Sequence, residues 1–184
     1  MTPLADTPGA RLFSRAVSLA VRYVEAYVFC RAPAGLRVLA LRRSPGRRLG
    51  GVWQPVTGKR KPGETVFAAA ARELREETGL TPKRWWRLES PAVIFDETRG
   101  GASFLPRFVA EVPAGVRVIR SAEHDAHAFL PFAAAARRFL WDSQREALIE
   151  LRRQIVRGGA LARALELTPA ALKVRQPGGR RRGQ

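Results

Sequence analysis

The spacing of apolar and polar positions along this chain changes several times, and each change marks an element. Residues 22–30 form a run rich in valine, tyrosine and phenylalanine, broken by Arg31-Ala-Pro-Ala-Gly35. Residues 36–42 then alternate well enough to be the return strand of a hairpin. Ser44-Pro45-Gly46 and Gly50-Gly51 interrupt the chain ahead of a short apolar piece at 52–56. The strongest helical pattern covers residues 65–78, with four alanines at 68–71 and Gly79 placed as the stop. Further strands are predicted at 85–95, 104–112, 116–119 and 126–130, and helices at 132–140, 143–156 and 161–167. Strands, one helix, more strands and then helices predict a mixed α/β (α+β) fold, with a sheet between helices and no alternating βαβ array. Residues 1–15 have no period and are expected to be a loose leader; the domain proper should occupy 16–157. A helical extension is expected at 158–175, followed by a disordered basic tail at 176–184 with Gly-Gly and three arginines.

Composition narrows the class. The 184 residues are 46% hydrophobic, enough for one sizeable core. The apolar stretch at 16–30 is interrupted by Arg22 and Glu25, so neither a membrane span nor a secretory leader is expected, and the location is read as cytoplasmic. Cys30 is the single cysteine and there are only two histidines, which excludes an internal disulfide and the usual structural zinc spacings. The net charge of +17 is split between +8 in residues 151–184 and +9 in the rest. Arginine (29) far exceeds lysine (four) in an alanine-rich chain, the bias of a GC-rich genome, so charge alone does not argue for nucleic acid. It does favour encounter with small polyanions.

The chemistry concentrates in residues 58–80, GKRKPGETVFAAAARELREETGL. At 100° per residue Glu73, Glu76 and Glu77 fall within about a third of the helix circumference, while Phe67, Ala71, Leu74 and Thr78 gather on another face. Like charges at these spacings repel, and they lie near the helix C-terminus, where the dipole disfavours anions. Arg72 and Arg75 could compensate, leaving a solvated face. The alternative is a cation: hard oxygen ligands at this density suit Mg2+ or Mn2+.

This segment resembles the signature of the Nudix (MutT-like) hydrolases, GX5EX7REUXEEXGU with U a bulky apolar residue. Gly58, Glu64, Arg72, Glu73, Leu74, Glu76, Glu77, Gly79 and Leu80 meet every constrained position. Looser similarity runs over residues 20–157. The resemblance implies a mixed sheet sandwiched between helices and hydrolysis of a nucleoside diphosphate linked to another moiety. It implies Mg2+ or Mn2+ as cofactor, held by Glu73, Glu76 and Glu77 with the Gly58 carbonyl. Glu64 and Arg72 would hold the loop against the helix, and Glu76, Glu77 and Glu123 are the catalytic candidates. The signature leaves the proton acceptor open among the box glutamates, Glu97, Glu111, Glu123 and Asp125. Glu123 is favoured because Glu123-His-Asp-Ala-His-Ala-Phe-Leu130 resembles an EHxxYxWL segment of several Nudix branches, with His127 and Phe129 replacing its aromatic residues.

Lys59, with Arg60 and Lys61, is a candidate for non-reacting phosphates or part of a solvated loop. Arg42 or Arg43 resembles an arginine that faces phosphates in the family. His124 reads as structural or as a phosphate contact, and Trp85, Trp86 and Trp141 as packing. The approach to the box, VWQPVTG, is similar to the WQxVTG of dihydroneopterin triphosphate and dATP pyrophosphohydrolases. The expected substrate is therefore a nucleoside or pterin triphosphate. A dinucleoside polyphosphate hydrolase and a non-catalytic nucleotide- or RNA-binding module are the alternatives. No membrane partner is expected, and the family's frequent dimers leave a homodimer open.

Overall fold

The computed structural model describes residues 19–82, 84–96 and 101–167. In chain order these form β1 (Leu19–Val21), β2 (Tyr23–Ala32), β3 (Gly35–Arg43), β4 (Trp53–Gln54), β5 (Val56–Lys59) and α1 (Val66–Thr78). Then follow β6 (Arg84–Arg87), β7 (Ala92–Asp96), β8 (Gly101–Leu105), β9 (Arg107–Glu111) and β10 (His124–Pro131). Helices α2 (Phe132–Arg138), α3 (Asp142–Glu150) and α4 (Ala160–Leu165) close the described chain, with α3 continuing as a π-helix at Leu151–Val156.

The main sheet runs β10-β3-β2-β9-β6, antiparallel except where β9 lies parallel to β2. Strands β2 and β3 form the expected hairpin but pair directly only from Phe29 and Val38 to the turn. Away from the turn they diverge, and β5 pairs with the start of β2 while β4 pairs with the end of β3. This split delivers Gly58 and Arg43 to the same end of the sheet. A second, three-stranded sheet has the order β1-β8-β7.

Strand β2 is buried on both faces, so its side chains alternate between two cores. Val24, Ala26, Val28 and Cys30 join Leu39, Leu41 and Val56 beneath Ala69, Ala70 and Leu74 of α1. Tyr27 and Phe29 join Val38, Trp86 and Val109 against Phe139, Leu148, Leu151 and Ile155. The result is the sequence's mixed sheet between helices. Glu25 points into the second layer, where Tyr27 Oη and Gln144 Nε2 donate to its carboxylate at 2.6 and 3.0 Å. Burial still raises its pKa.

Several boundaries differ from the sequence reading. The strand at 85–95 is two strands, separated where the chain turns before Pro91, and that at 104–112 is divided by Pro106, whose ring leaves no ladder donor. No strand forms at 116–119. The last turns of the 143–156 helix widen to π geometry, which apolar spacing does not signal. Trp85 and Trp86 are buried as expected, whereas Trp141 is exposed. The leader, Glu97, and the basic tail lie outside the described residues. Among the described residues no helix is long and apolar enough to cross a membrane.

Candidate active site

Helix α1 is fixed at both ends. The Thr65 hydroxyl accepts from the Ala68 amide at 3.1 Å, and Gly79 takes the left-handed conformation (φ 70°) with its amide donating to the Arg75 carbonyl. Residues after β9 complete the C-terminus: the Ile119 amide donates to the Thr78 carbonyl at 2.8 Å and the Ser121 amide to the Glu77 carbonyl at 3.2 Å. These donors would otherwise belong to a strand ladder. They satisfy helix carbonyls instead, and the Ile119 amide is thereby taken from any strand ladder.

Arg72 gathers the box. Its Nε and Nη2 donate to the two oxygens of Glu64 at 2.8 and 3.0 Å, and Nη2 also reaches the Lys59 carbonyl at 3.0 Å. Its Nη1 lies 2.8 Å from Glu73 Oε1 and 2.9 Å from Glu76 Oε2. Glu64 in turn accepts from the Lys61 amide, so the loop folds back on the carboxylate that anchors it. The two-pronged contact holds the Glu64 pKa down and the Arg72 pKa up. Gly58 is needed for space: a Cβ there would overlap the Glu73 side chain.

Glu77 differs from its neighbours. Its residue is 4% exposed, and Oε2 has no hydrogen-bond partner. Burial is the main cause of a pKa pushed up to about 9, with the charges of Glu73, Glu123 and Glu76 adding to it and Arg43 opposing. Of the three carboxylates only Glu76 is half-exposed, whereas Glu73 is largely covered and Glu77 is buried, so a solvated face does not describe the cluster. The helical wheel places all three on one side, and the approach of His124 from β10 to Glu77 is a tertiary contact outside its reach.

Arg43 reaches the site from β3. It stands opposite His124 in the β3–β10 register, and burial together with Arg43 keeps the His124 pKa low. His124 is buried with neither ring nitrogen bonded, and its Nε2 is 3.9 Å from Glu77 Oε2. The register shifts between His124 and Ala126, and the extra residue, Asp125, accepts from Arg42 Nε and Nη2 at 2.8 and 3.0 Å. Bulges of this kind re-aim side chains at functional rims. Arg42 also lies over the Trp53 ring. Of the two arginines offered by the sequence, Arg43 faces the carboxylates and Arg42 is held by Asp125.

The remaining candidates separate clearly. Glu123 is close enough for its charge to act on both Glu77 and His124, and its backbone is fixed by Ser44, whose amide donates to the Glu123 carbonyl at 2.9 Å. Glu111 is at the far end of β9, paired with Arg31 and Arg84. The Lys59 side chain is exposed, and Lys61 Nζ lies 3.8 Å from Glu76 Oε1. Among the described residues no three histidine, cysteine or carboxylate side chains form a ready-made cation cage, because Arg72 holds Glu73 and Glu76. The residues nevertheless fit a hard divalent cation. An unpartnered, buried carboxylate oxygen stands among three further carboxylates, and the donors are all oxygen.

Residues 22–151 match the family model of the NUDIX domain, and the chain belongs to that family. It is 37% identical over 121 residues, 61% of its length, to a protein of Myxococcus xanthus named octanoyltransferase, but spans only 31% of that protein. A structure from Listeria monocytogenes described as a NUDIX hydrolase matches with TM-score 0.62 and 25% identity, over 72% of this chain and 92% of that one. An Ap4A hydrolase of C. elegans gives 0.61 and 21%, over 73% and 96%. The dihydroneopterin triphosphate pyrophosphohydrolase of E. coli gives 0.59 and 21%, over 76% and 99%. The last two likenesses concern the fold.

Proposed function

We propose that this chain is a divalent-metal-dependent pyrophosphohydrolase that cleaves a phosphoanhydride bond of a nucleoside or pterin triphosphate. The observation that carries the proposal is Glu77: a buried carboxyl with an unbonded oxygen, surrounded by Glu73, Glu76 and Glu123 and faced by Arg43. Such a cluster is unfavourable in isolation, and a structural role would not need it. Glu73, Glu76, Glu77 and Glu123, with the Gly58 carbonyl, would hold Mg2+ or Mn2+. The bound cation would supply charge neutralisation at the phosphates and a water of lowered pKa.

The other roles fall to the chain itself. Arg43 binds phosphate oxygens, and Lys59 offers an exposed charge beside the box. Glu123 accepts the proton from the attacking water. Glu64 keeps Arg72 anchored whichever partners Glu73 and Glu76 hold, so the loop bearing Gly58 stays against α1. The triphosphate preference rests on VWQPVTG and the segment from Glu123 onward.

The test is a panel containing dihydroneopterin triphosphate, dATP, diadenosine tetraphosphate and ADP-ribose, assayed with Mg2+, with Mn2+ and with chelator, and with products identified. Pyrophosphate released from a triphosphate, and lost on chelation, is expected. Preferential cleavage of diadenosine tetraphosphate would move the chain to the dinucleoside polyphosphate class. Nucleotide binding without turnover under every condition would overturn catalysis.

A further inference from the structure

The connection from β3 to β4 contains a backbone conformation that its sequence does not favour. Glycines aside, Leu49 alone among the described residues has a positive φ, at 61°. A left-handed backbone is uncommon for leucine, and such residues persist where the surroundings dictate them. Core packing does not impose it, because Leu49 is 41% exposed.

The hydrogen bonds show what this conformation does. The Gly50 amide donates to the Arg47 carbonyl at 2.9 Å, so residues 47–50 form a β-turn with Leu49 at its third position. Positive φ there, without positive φ at Arg48, makes it a type II turn. Relative to the commoner type I, the central peptide of a type II turn is turned over, and the Arg48 carbonyl points to the opposite side. That carbonyl accepts from Arg43 Nε at 2.9 Å. The base of the loop is fixed as well. The Arg43 amide donates to the Val52 carbonyl at 3.0 Å and the Gly51 amide to the Arg43 carbonyl at 2.9 Å. Ser44 Oγ donates to the Ala122 carbonyl at 3.1 Å, which joins the loop to the segment bearing Glu123. A guanidinium has five N–H donors in a rigid fork. With Nε committed to Arg48, the Arg43 Nη1 and Nη2 groups donate to no protein acceptor among the described residues. Those two nitrogens can grip an oxyanion together.

We propose that Leu49 is a positioning residue: its left-handed conformation aims the Arg48 carbonyl, which holds Arg43 with its Nη edge free for a phosphate chain. This rests on the reading of Arg43 as the phosphate-binding arginine. What matters at position 49 is then the backbone conformation and not the side chain. Leu49→Gly removes the side chain but suits a type II turn, whereas Leu49→Val keeps an apolar side chain and disfavours positive φ. The two substitutions therefore act in the opposite order to that expected of a packing residue.

The probe is inorganic tripolyphosphate with Mg2+, followed through the Arg43 Nε–H resonance of 15N-labelled protein, which is assigned from its loss in Arg43→Ala. In the wild-type chain this resonance is expected to exchange slowly with solvent and to shift saturably on titration. Leu49→Val should quicken its exchange and weaken binding about tenfold, while Leu49→Gly leaves both near wild type. Gly50→Ala takes the place of Leu49→Val should that variant not fold, because its Cβ would lie 2.6 Å from the Pro45 carbonyl oxygen and force the same loop to move. In the Arg43→Ala background Leu49→Val should weaken binding no further, whereas a residue acting on folding alone would add its cost in both backgrounds. Equal losses in Leu49→Gly and Leu49→Val, an Arg43 resonance that tripolyphosphate does not move, or an undiminished effect of Leu49→Val in Arg43→Ala overturns the proposal. A chain that binds tripolyphosphate with the expected pattern yet cleaves no nucleotide loses the catalytic reading and keeps this one. Triphosphate turnover with wild-type KM in Leu49→Val does the reverse.

Discussion

A carboxyl pushed up to about 9 carries its proton at neutral pH, and Glu77 therefore ties stability to pH in a definite direction. The unfolded group titrates near 4.5, so between about 4.5 and 9 the folded chain binds the extra proton. Stability is fully present below the lower value and is lost as pH rises through the upper one. Glu25, also raised, acts in the same direction, and His124, lowered, acts oppositely near its own range. The clean comparison is therefore Glu77→Gln against wild type between pH 7 and 9 without metal. The wild-type melting temperature should fall more steeply across this interval, and Mg2+ should raise it most at the alkaline end, where the ionised form is available to a cation. Parallel slopes for the two proteins would contradict the burial argument. Gly58→Ala probes the same contact from the loop. The added methyl displaces a flexible glutamate rather than backbone, so folding should survive while turnover drops by an order of magnitude or more. A melting temperature lowered in proportion to the lost activity would mark Gly58 as structural only.

At the scale of elements, α1 and the loop before it act as one unit through Arg72. A lysine at this position keeps the charge but cannot grip both Glu64 oxygens and the Lys59 carbonyl together. Arg72→Lys should reduce turnover roughly 10–100-fold, as loss of a ligand-orienting partner typically does. Amide exchange at residues 60–64 should quicken with it, and unchanged exchange would separate the arginine from loop order. The sequence made α1 legible because each signal was local: the alanine run and Gly79 both act within a few residues, and the structure adds Thr65 as the cap. The β2–β3 hairpin was legible for the same reason. Long-range effects escaped it. The residues around Ile119 look like a strand until the Thr78 carbonyl claims the Ile119 amide, and the burial of Glu77, beside His124, has no local signal in the sequence. The pairing of Arg42 with Asp125 depends on a bulge in β10, which no local pattern announces. Among the candidate site residues, the Arg72–Glu64 contact is what the family signature implied, whereas which of Arg42 and Arg43 lies beside the carboxylates required the β3–β10 register.

Across the whole molecule the net charge of +17 surrounds a site built of glutamates, and the two have separable kinetic consequences. The diffuse positive field acts on a polyanionic substrate before contact and extends only over the Debye length, about 10 Å at 0.1 M salt and about 30 Å at 0.01 M. Under the proposed function the glutamate cluster and Arg43 act after contact, at distances that salt screens weakly. Raising ionic strength from about 0.01 to 0.2 M should therefore lower kcat/KM for a triphosphate several-fold, in step with the encounter rate, and leave kcat nearly constant. The salt must be one whose anion competes poorly with phosphate, so that occupancy of Arg43 does not imitate screening. Since residues 151–184 contribute +8 of the total, removing residues 177–184 with their three arginines should flatten this salt dependence without changing kcat. A shortened chain with reduced kcat at saturating substrate would instead place those arginines in direct contact with the bound triphosphate.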